Sequence, residues 1–259
     1  MITSSSKSWY RIKNFIPGKF YEPLLDVYHS LRKYRYIGGN VSCPVCHRHF
    51  NKFIPAGNVG ICPACSSGSR HRAIYLFLQR KTSFFEQKMK VLHFAPEHCF
   101  YKTFRAMRNL DYTSADLNSP RAMVKIDITQ IPYPNNHFDV VISSHVLEHI
   151  PGDLLAMREL ARIANNRGWS IHLAPIDYNR EKTFEDPSVD TPEKKQEIYG
   201  HHDHKRIYGR DYAERLRSAG FHVEIFDPQD YLSSEEMKTY GVDINEKIYC
   251  CTKSGMQNI

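Results

Sequence analysis

Two groups of residues have the types and spacing to do chemistry. The first is Cys43-Pro-Val-Cys46 followed, after fifteen residues, by Cys62-Pro-Ala-Cys65. Two such knuckles supply four thiolates that can close a tetrahedron around one Zn²⁺, leaving no open coordination position. The expected metal is therefore structural, contributing folding energy rather than an activated water. A redox C-x-x-C pair occurs once, beside a βαβ pattern, whereas here the pair occurs twice on knuckle-like turns. His47 and His49 lie beside the second ligand and read as surface groups.

The second group closes the run Phe138 to Ile150, FDVVISSHVLEHI, where an apolar strand leads straight into His145, Glu148 and His149. H-x-x-E-H is also the inverted zinc-protease signature. Pro151 breaks any helix within two residues of His149, while two histidines on adjacent turns want a continued helix. The segment instead puts ionisable groups at the carboxyl end of a strand, where open α/β sheets bind ligands. His145, Glu148 and His149 are expected to line or frame that cleft without binding metal, with Glu148 and His149 beginning or capping the next helix.

The elements that must position these residues follow from periodicity. Ile74, Leu76, Phe77 and Leu78 fit an amphipathic helix over Ser69 to Gln79. Lys90–Phe94, Tyr112–Leu117, Val124–Ile128, Phe138–Ser143 and Trp169–Ala174 read as strands, and Asp153–Ala164 as a helix. This alternation predicts a doubly wound, mostly parallel sheet with right-handed crossovers. Past Ala174 the pattern lapses for about thirty residues, a length typical of lids and binding loops. Within the lapse, Thr191-Pro192 starts a helix that Gly200 can stop. Asp211–Ala219 is another helix, and strands Phe221–Phe226 and Lys247–Thr252 close the chain. The domain plan is an arm over 1–40, a zinc ribbon over 41–68, and a main domain over 69–259 carrying a lid at 175–209.

Composition limits the function classes. The 259 residues are 41% hydrophobic and 24% charged, ordinary for a soluble globular protein, with a net charge of +7. Between Met1 and Asn40, Lys7, Arg11, Lys13, Lys19, Arg32, Lys33 and Arg35 face only Glu22 and Asp26, interleaved with aromatics from Trp9 to Tyr36. Such a mix suits base stacking with phosphate attraction, or an arm packed onto the main domain. No window approaches the roughly 20 apolar residues of a membrane span. The start has no secretory pattern, so a cytoplasmic protein is expected.

The series VLHFAPE, ADL, DIT and FDVVISSHVLEHI resembles the class I S-adenosylmethionine-dependent methyltransferases, close to the branch called methyltransferase type 11, over roughly Val91 to Thr252. The resemblance implies a seven-stranded sheet with its last strand antiparallel, and S-adenosylmethionine across the carboxyl ends of the first four strands. Asp116 would accept from the ribose diol, or cap a turn. Asp127 would take the adenine amine with Ile128 against the ring, or form an Asx-turn with Thr129. The family's glycine-rich first loop is replaced by Phe94-Ala95-Pro96-Glu97-His98, in which Ala95 permits close approach and Glu97 faces the methionine amine. Leu117, Ser144, His145 and Val146 complete the expected cofactor contacts.

For the transfer, Asp203 and His204 in the run Tyr199–Gly209 are the candidate bases, ahead of Asp177 and Asp186. Arg70 and Arg72 would pair with a carboxylate of cofactor or acceptor, or cap the ribbon. The leading reading is methyl transfer to an oxygen or nitrogen of a small molecule or glycan. The alternatives are an RNA acceptor gripped by the ribbon and arm, and a non-catalytic nucleic-acid-binding or scaffold protein.

Overall fold

The computed structural model describes Leu24, Val27, Tyr28 and residues 31–254. Most of the basic arm, including Lys7, Arg11, Lys13 and Lys19, therefore lies outside the described residues. The chain forms two compact units. One comprises residues up to Ser83 with His98–Phe100 and Asp227–Lys247, and the other Phe84–Glu97, Tyr101–Phe226 and the residues from Ile248. The expected boundary at Ser69 does not coincide with this division, because helix α1 (Ser69–Lys81) and the segment 227–247 group with the cysteine knuckles.

In the first unit, β1 (Ile37–Cys43) and β2 (Arg48–Phe50) pair antiparallel and carry the first knuckle between them. The helix α1 buries Ala73 through Leu78. Arg72, wholly buried, donates to the carbonyls of Ser67 (2.5 Å), Gly60 (2.9 Å) and Gly241 (2.6 Å), and its guanidinium lies 4.2 Å from the Phe53 ring. Of the two roles open to Arg72, these bonds are those of a ribbon cap. Within the same unit α6 (Ser234–Tyr240) is started by Ser233, whose hydroxyl accepts from Glu236 N, and stopped by left-handed Gly241.

The second unit is built on β3 (Met89–Phe94), β4 (Leu110–Asp116), β5 (Val124–Lys125), β6 (Phe138–Ser144), β7 (Ala164–Leu173), β8 (Phe221–Phe226) and β9 (Ile248–Lys253). Their order across the sheet is β5-β4-β3-β6-β7-β9-β8, with β9 antiparallel to both neighbours and the rest parallel. This is the expected Rossmann-like sheet. Val91, Leu92, Val140, Val141 and Ile142 are fully buried, which is why the central strands read as unbroken apolar runs. The helix α3 (Asp153–Ile163) adds Ala156, Met157, Leu160 and Ala161 to this core at helical spacing. The remaining helices are α2 (His98–Ala106), α4 (Pro192–Ile198) and α5 (Tyr212–Ser218).

Chain order runs from β3 out to β5 on one side, then restarts at β6 and runs to β7 on the other. The direction reverses between β3 and β6, and this switch point is where such sheets open a crevice at their carboxyl ends.

Buried in β7, His172 bonds Ser143 Oγ at 2.9 Å, and burial pushes its imidazole down to about 3 from 6.5. The folded value lies below the unfolded one, so the unfolded state binds more protons between them, and stability falls as pH drops through that window. The expected slope from this group is at most roughly 1.4 kcal/mol per pH unit. Urea titrations at pH 7 and 5 should show the loss in the natural chain and a smaller loss in His172→Asn.

Candidate functional site

At the carboxyl end of β3, Ala95 N continues the ladder to Ala115 O (2.9 Å), and the backbone then turns through a left-handed conformation, φ +49° at Ala95. At the end of β6, His145 N bonds Leu173 O (2.8 Å) and His145 has φ +57°. A side chain held in this region costs about 1–2 kcal/mol, and such strain concentrates at ligand sites. The two strands flanking the switch point thus end in the same way. Alanine has the smallest side chain that can stand where the resembling family keeps glycine.

The groups around this crevice are fixed from below. His93, wholly buried on β3, bonds Tyr112 OH through Nδ1 (2.9 Å) and Glu97 Oε2 through Nε2 (2.6 Å). Glu97, the residue before α2, is thereby oriented at the first-strand loop while Phe94 stays in the core. Asp116 ends β4, and its Oδ1 accepts from Asn118 N and Ser119 N, both 2.7 Å. This turn leaves Oδ2 for a ligand. The neighbouring Leu117 is 55% exposed, unusual for leucine beside a strand end. Ser144 Oγ is buried at the end of β6 with no protein partner, a placement that calls for a ligand or water.

Three expectations are corrected in detail. The strand β5 stops at Lys125, so Asp127 lies two residues beyond it, exposed, with Oδ1 accepting from Thr129 N and Oγ1 (2.8 and 2.7 Å). Those bonds, from the hydroxyl first, hold its carboxyl below the usual range. Ile128 is buried in the core cluster, as Val146 is in part. Glu148 and His149 do not start the next helix: they form a 3₁₀ turn over Leu147–His149, and α3 begins at Asp153. Glu148 is fully buried, with His145 Nδ1 3.4 Å from its Oε1. The helical zinc-protease arrangement does not form.

The segment 175–209 is a folded flap. Ile176 bridges Tyr208 and Phe184 bridges Ile207, Thr183 bonds Asp211, and Thr191 caps α4 as expected. Arg206, hidden in a run that reads as solvated, is fully buried and clasps the turn after β6. It donates to the carbonyls of Leu147 (2.9 Å), Ile150 (2.6 Å) and Pro151 (2.8 Å) and pairs with Glu185 (3.0 Å). Beneath it, Asp153 accepts hydrogen bonds from Tyr208 OH (2.8 Å) and, at both carboxylate oxygens, from Arg215 Nη2 (2.7 Å each). Sequence reading missed this network, whose one signal is a pair of arginines spaced with tyrosines around an otherwise polar loop.

The clasp brings the candidate bases to the post-β6 turn. Lys205 N bonds Glu148 O at 2.8 Å, and Asp203 Oδ1 lies 2.9 Å from His149 Nδ1 while also bonding His201 Nδ1. Burial, then the neighbouring His149 and His201, pushes His204 down to about 4. Burial also lowers His149. For Asp203 burial acts upward, but the facing histidines outweigh it and hold the carboxyl low. His149 and His204 therefore favour the neutral imidazole beside an ionised Asp203 carboxylate at neutral pH.

In the first unit the four cysteines converge. Cys43 and Cys65 sulfurs are 3.6 Å apart and Cys46 and Cys62 sulfurs 3.7 Å, close to the roughly 3.8 Å edge of a tetrahedron with Zn–S bonds of about 2.3 Å. Left-handed His47 and Ser66 close the two knuckles, bonding back to Cys43 O and Cys62 O. Hydrogen bonds from Cys46, then Cys62 and Cys65, hold the Cys43 thiol well below its ordinary range. The cluster fits a zinc ion.

Residues 101–172 match the methyltransferase domain family. Among solved structures, the chain is similar to the (4+2) cyclase SpnF, at 13% identity and a TM-score of 0.53 over 91% of this chain and 95% of that one. It is also similar to a S-adenosylmethionine-dependent methyltransferase from Mesorhizobium loti, at 12% identity and a TM-score of 0.47 over 69% of this chain and 97% of that one. No curated protein matches the chain in sequence. The likeness to SpnF speaks for the fold alone, and a fold hosts more than one chemistry. The matched segment, which runs from α2 through β7, supports a S-adenosylmethionine-dependent methyltransferase. No helix among the described residues is long and apolar enough to cross a membrane.

Proposed function

We propose that the chain methylates an oxygen or nitrogen of a small-molecule or glycan acceptor enclosed by the flap 175–209. The observation that carries this reading is the pair of left-handed strand exits at Ala95 and His145, with the orphaned Ser144 hydroxyl at the end of β6 and Glu97 and Asp116 following β3 and ending β4 beside it. Bound there, S-adenosylmethionine supplies an electrophilic methyl carbon on a sulfonium. Asp116 accepts from the ribose diol through Oδ2, and Leu117 covers the adenine. Asp127 accepts from the exocyclic amine through Oδ2, since Thr129 occupies Oδ1, with Ile128 in the core beneath it. Glu97, held by His93, faces the amino group, and the backbone of Phe94, Ala95, Ser144, His145 and Val146 lines the remainder. The flap excludes water and aligns the acceptor, which is most of what an in-line displacement asks of a protein. His204 and Asp203 take the proton that the acceptor must lose. The zinc of the four-cysteine ribbon acts only in folding.

Labelled S-adenosylmethionine incubated with the full chain and separate small-molecule, glycan, protein and RNA fractions tests this. Label is expected in the small-molecule or glycan fraction. His204→Ala should cut turnover by about 10²-fold or more with cofactor affinity retained. Label confined to RNA would replace the acceptor assignment, and unchanged turnover in both His204→Ala and Asp203→Ala would remove the base.

A further inference from the structure

We infer that His149, His201 and His204 form a second metal site, selective for a divalent first-row transition ion such as Zn²⁺ and distinct from the four cysteines. Ring nitrogens of the three histidines all lie within 4.8 Å of one another. The rings stand 4.7 Å apart for His149 and His204, 4.7 Å for His201 and His204, and 5.6 Å for His149 and His201. Nitrogens around a tetrahedral zinc, with Zn–N bonds of about 2.0–2.1 Å, are roughly 3.3 Å apart. Modest side-chain rotation closes the difference, because all three rings are only partly buried.

The donor set argues for the metal class. Three imidazoles suit zinc, nickel, cobalt or iron, and not the all-oxygen shells of calcium or magnesium. Asp203 supplies what histidine ligands ordinarily have behind them. Its Oδ1 bonds Nδ1 of His201 and lies 2.9 Å from Nδ1 of His149 without hydrogen-bond geometry, so one carboxylate stands against two of the three rings. The site is also anchored at both ends. His149 belongs to the 3₁₀ turn after β6, and His201 and His204 to the flap loop that Lys205 and Arg206 fasten to that turn. No local sequence spacing would reveal it, since one ligand lies about fifty residues from the others.

Three protein ligands leave a four-coordinate ion one open position, the arrangement of catalytic rather than structural zinc. An oxygen donor of the acceptor suits that position, with Asp203 beside it to take the proton. This consequence rests on the transferase reading; ion binding itself does not.

The test is the metal content of the full-length protein. After equilibrium dialysis against Zn²⁺, the natural chain is expected to hold one more ion than His201→Ala or His149→Ala. In a Co²⁺ titration, a first ion should bring the thiolate-to-metal absorbance of the cysteines. A second should bind without adding to it, and the second alone should be lost in the variants. Equal metal content in the natural chain and both variants, or no Co²⁺ uptake beyond the thiolate signal, overturns the site. Neither readout depends on methyl transfer, so a chain that binds the second ion but transfers no methyl group would refute the proposed activity and leave the site standing.

Discussion

Full-length Cys43→Ser protein is expected to lose the ribbon zinc and, with it, protection of the backbone amides from β1 through α1. Cys43 is fully buried, its Sγ contacts Cys65 Sγ and Ser67 Oγ, and the surrounding chain is short strands and turns with few apolar side chains of its own. Structural zinc contributes about 10–16 kcal/mol in comparable small modules, as much as a whole domain's net stability of about 5–15 kcal/mol. Arg72 depends on the same knuckle, since its carbonyl partners Ser67 and Gly60 are held in place by Cys62 and its neighbours. Chelation of the natural protein should reproduce the effect. Zinc analysis together with hydrogen exchange checks it: amides 37–81 protected as before, in protein proven free of metal, would contradict the structural role.

The second large effect is expected at Arg206. Replacing it with leucine leaves the carbonyls of Leu147, Ile150 and Pro151 without their donor and removes a positive charge 3.7 Å from buried Asp153. Removing one partner of a buried charge network costs about 3–5 kcal/mol. Arg206→Lys should recover little, because an ammonium cannot span three carbonyls and a carboxylate as the guanidinium fork does. The loss would also free the turn bearing His149 from the loop bearing Asp203 and His204, so turnover should fall further than stability alone explains. Urea unfolding and methyl transfer, measured on the same preparations, separate the two. A stability change below about 1 kcal/mol would show that the carbonyls find other donors.

Local chemistry was legible in the sequence, and assembled chemistry was not. The four cysteines carry their geometry in their spacing, and the strands β3 and β6 in apolar runs ended by polar residues. The sequence pattern carries β5 on to Ile128, because Ile126 and Ile128 alternate with polar residues in the strand manner, yet only β4 pairs with it and the Asp127 turn ends the ladder early. β7 begins at Ala164, before the apolar pattern at Trp169. Gly168 lets the strand pass within reach of the Asp139 carbonyl, where a Cβ would come to 2.3 Å, so the pairing continues irregularly back to Ala164. In the flap, Arg206 looks like any solvated base until the fold surrounds it with carbonyls. Likewise the histidine cluster exists only because the flap returns to the turn after β6. The H-x-x-E-H segment drew attention for a helix that it does not form, and its last histidine acquires partners from a distant loop instead.

We propose S-adenosylmethionine at the carboxyl ends of β3, β4 and β6, with Asp116 on its ribose. Calorimetric titration of S-adenosylmethionine into the natural full-length chain and into Asp116→Ala tests it most directly. Loss of a charged hydrogen-bond acceptor costs about 1.5–3 kcal/mol, so the natural chain should bind and the variant should bind roughly 10- to 100-fold more weakly. Absence of binding to the natural chain, or equal affinity in the two proteins, would contradict the placement of the cofactor.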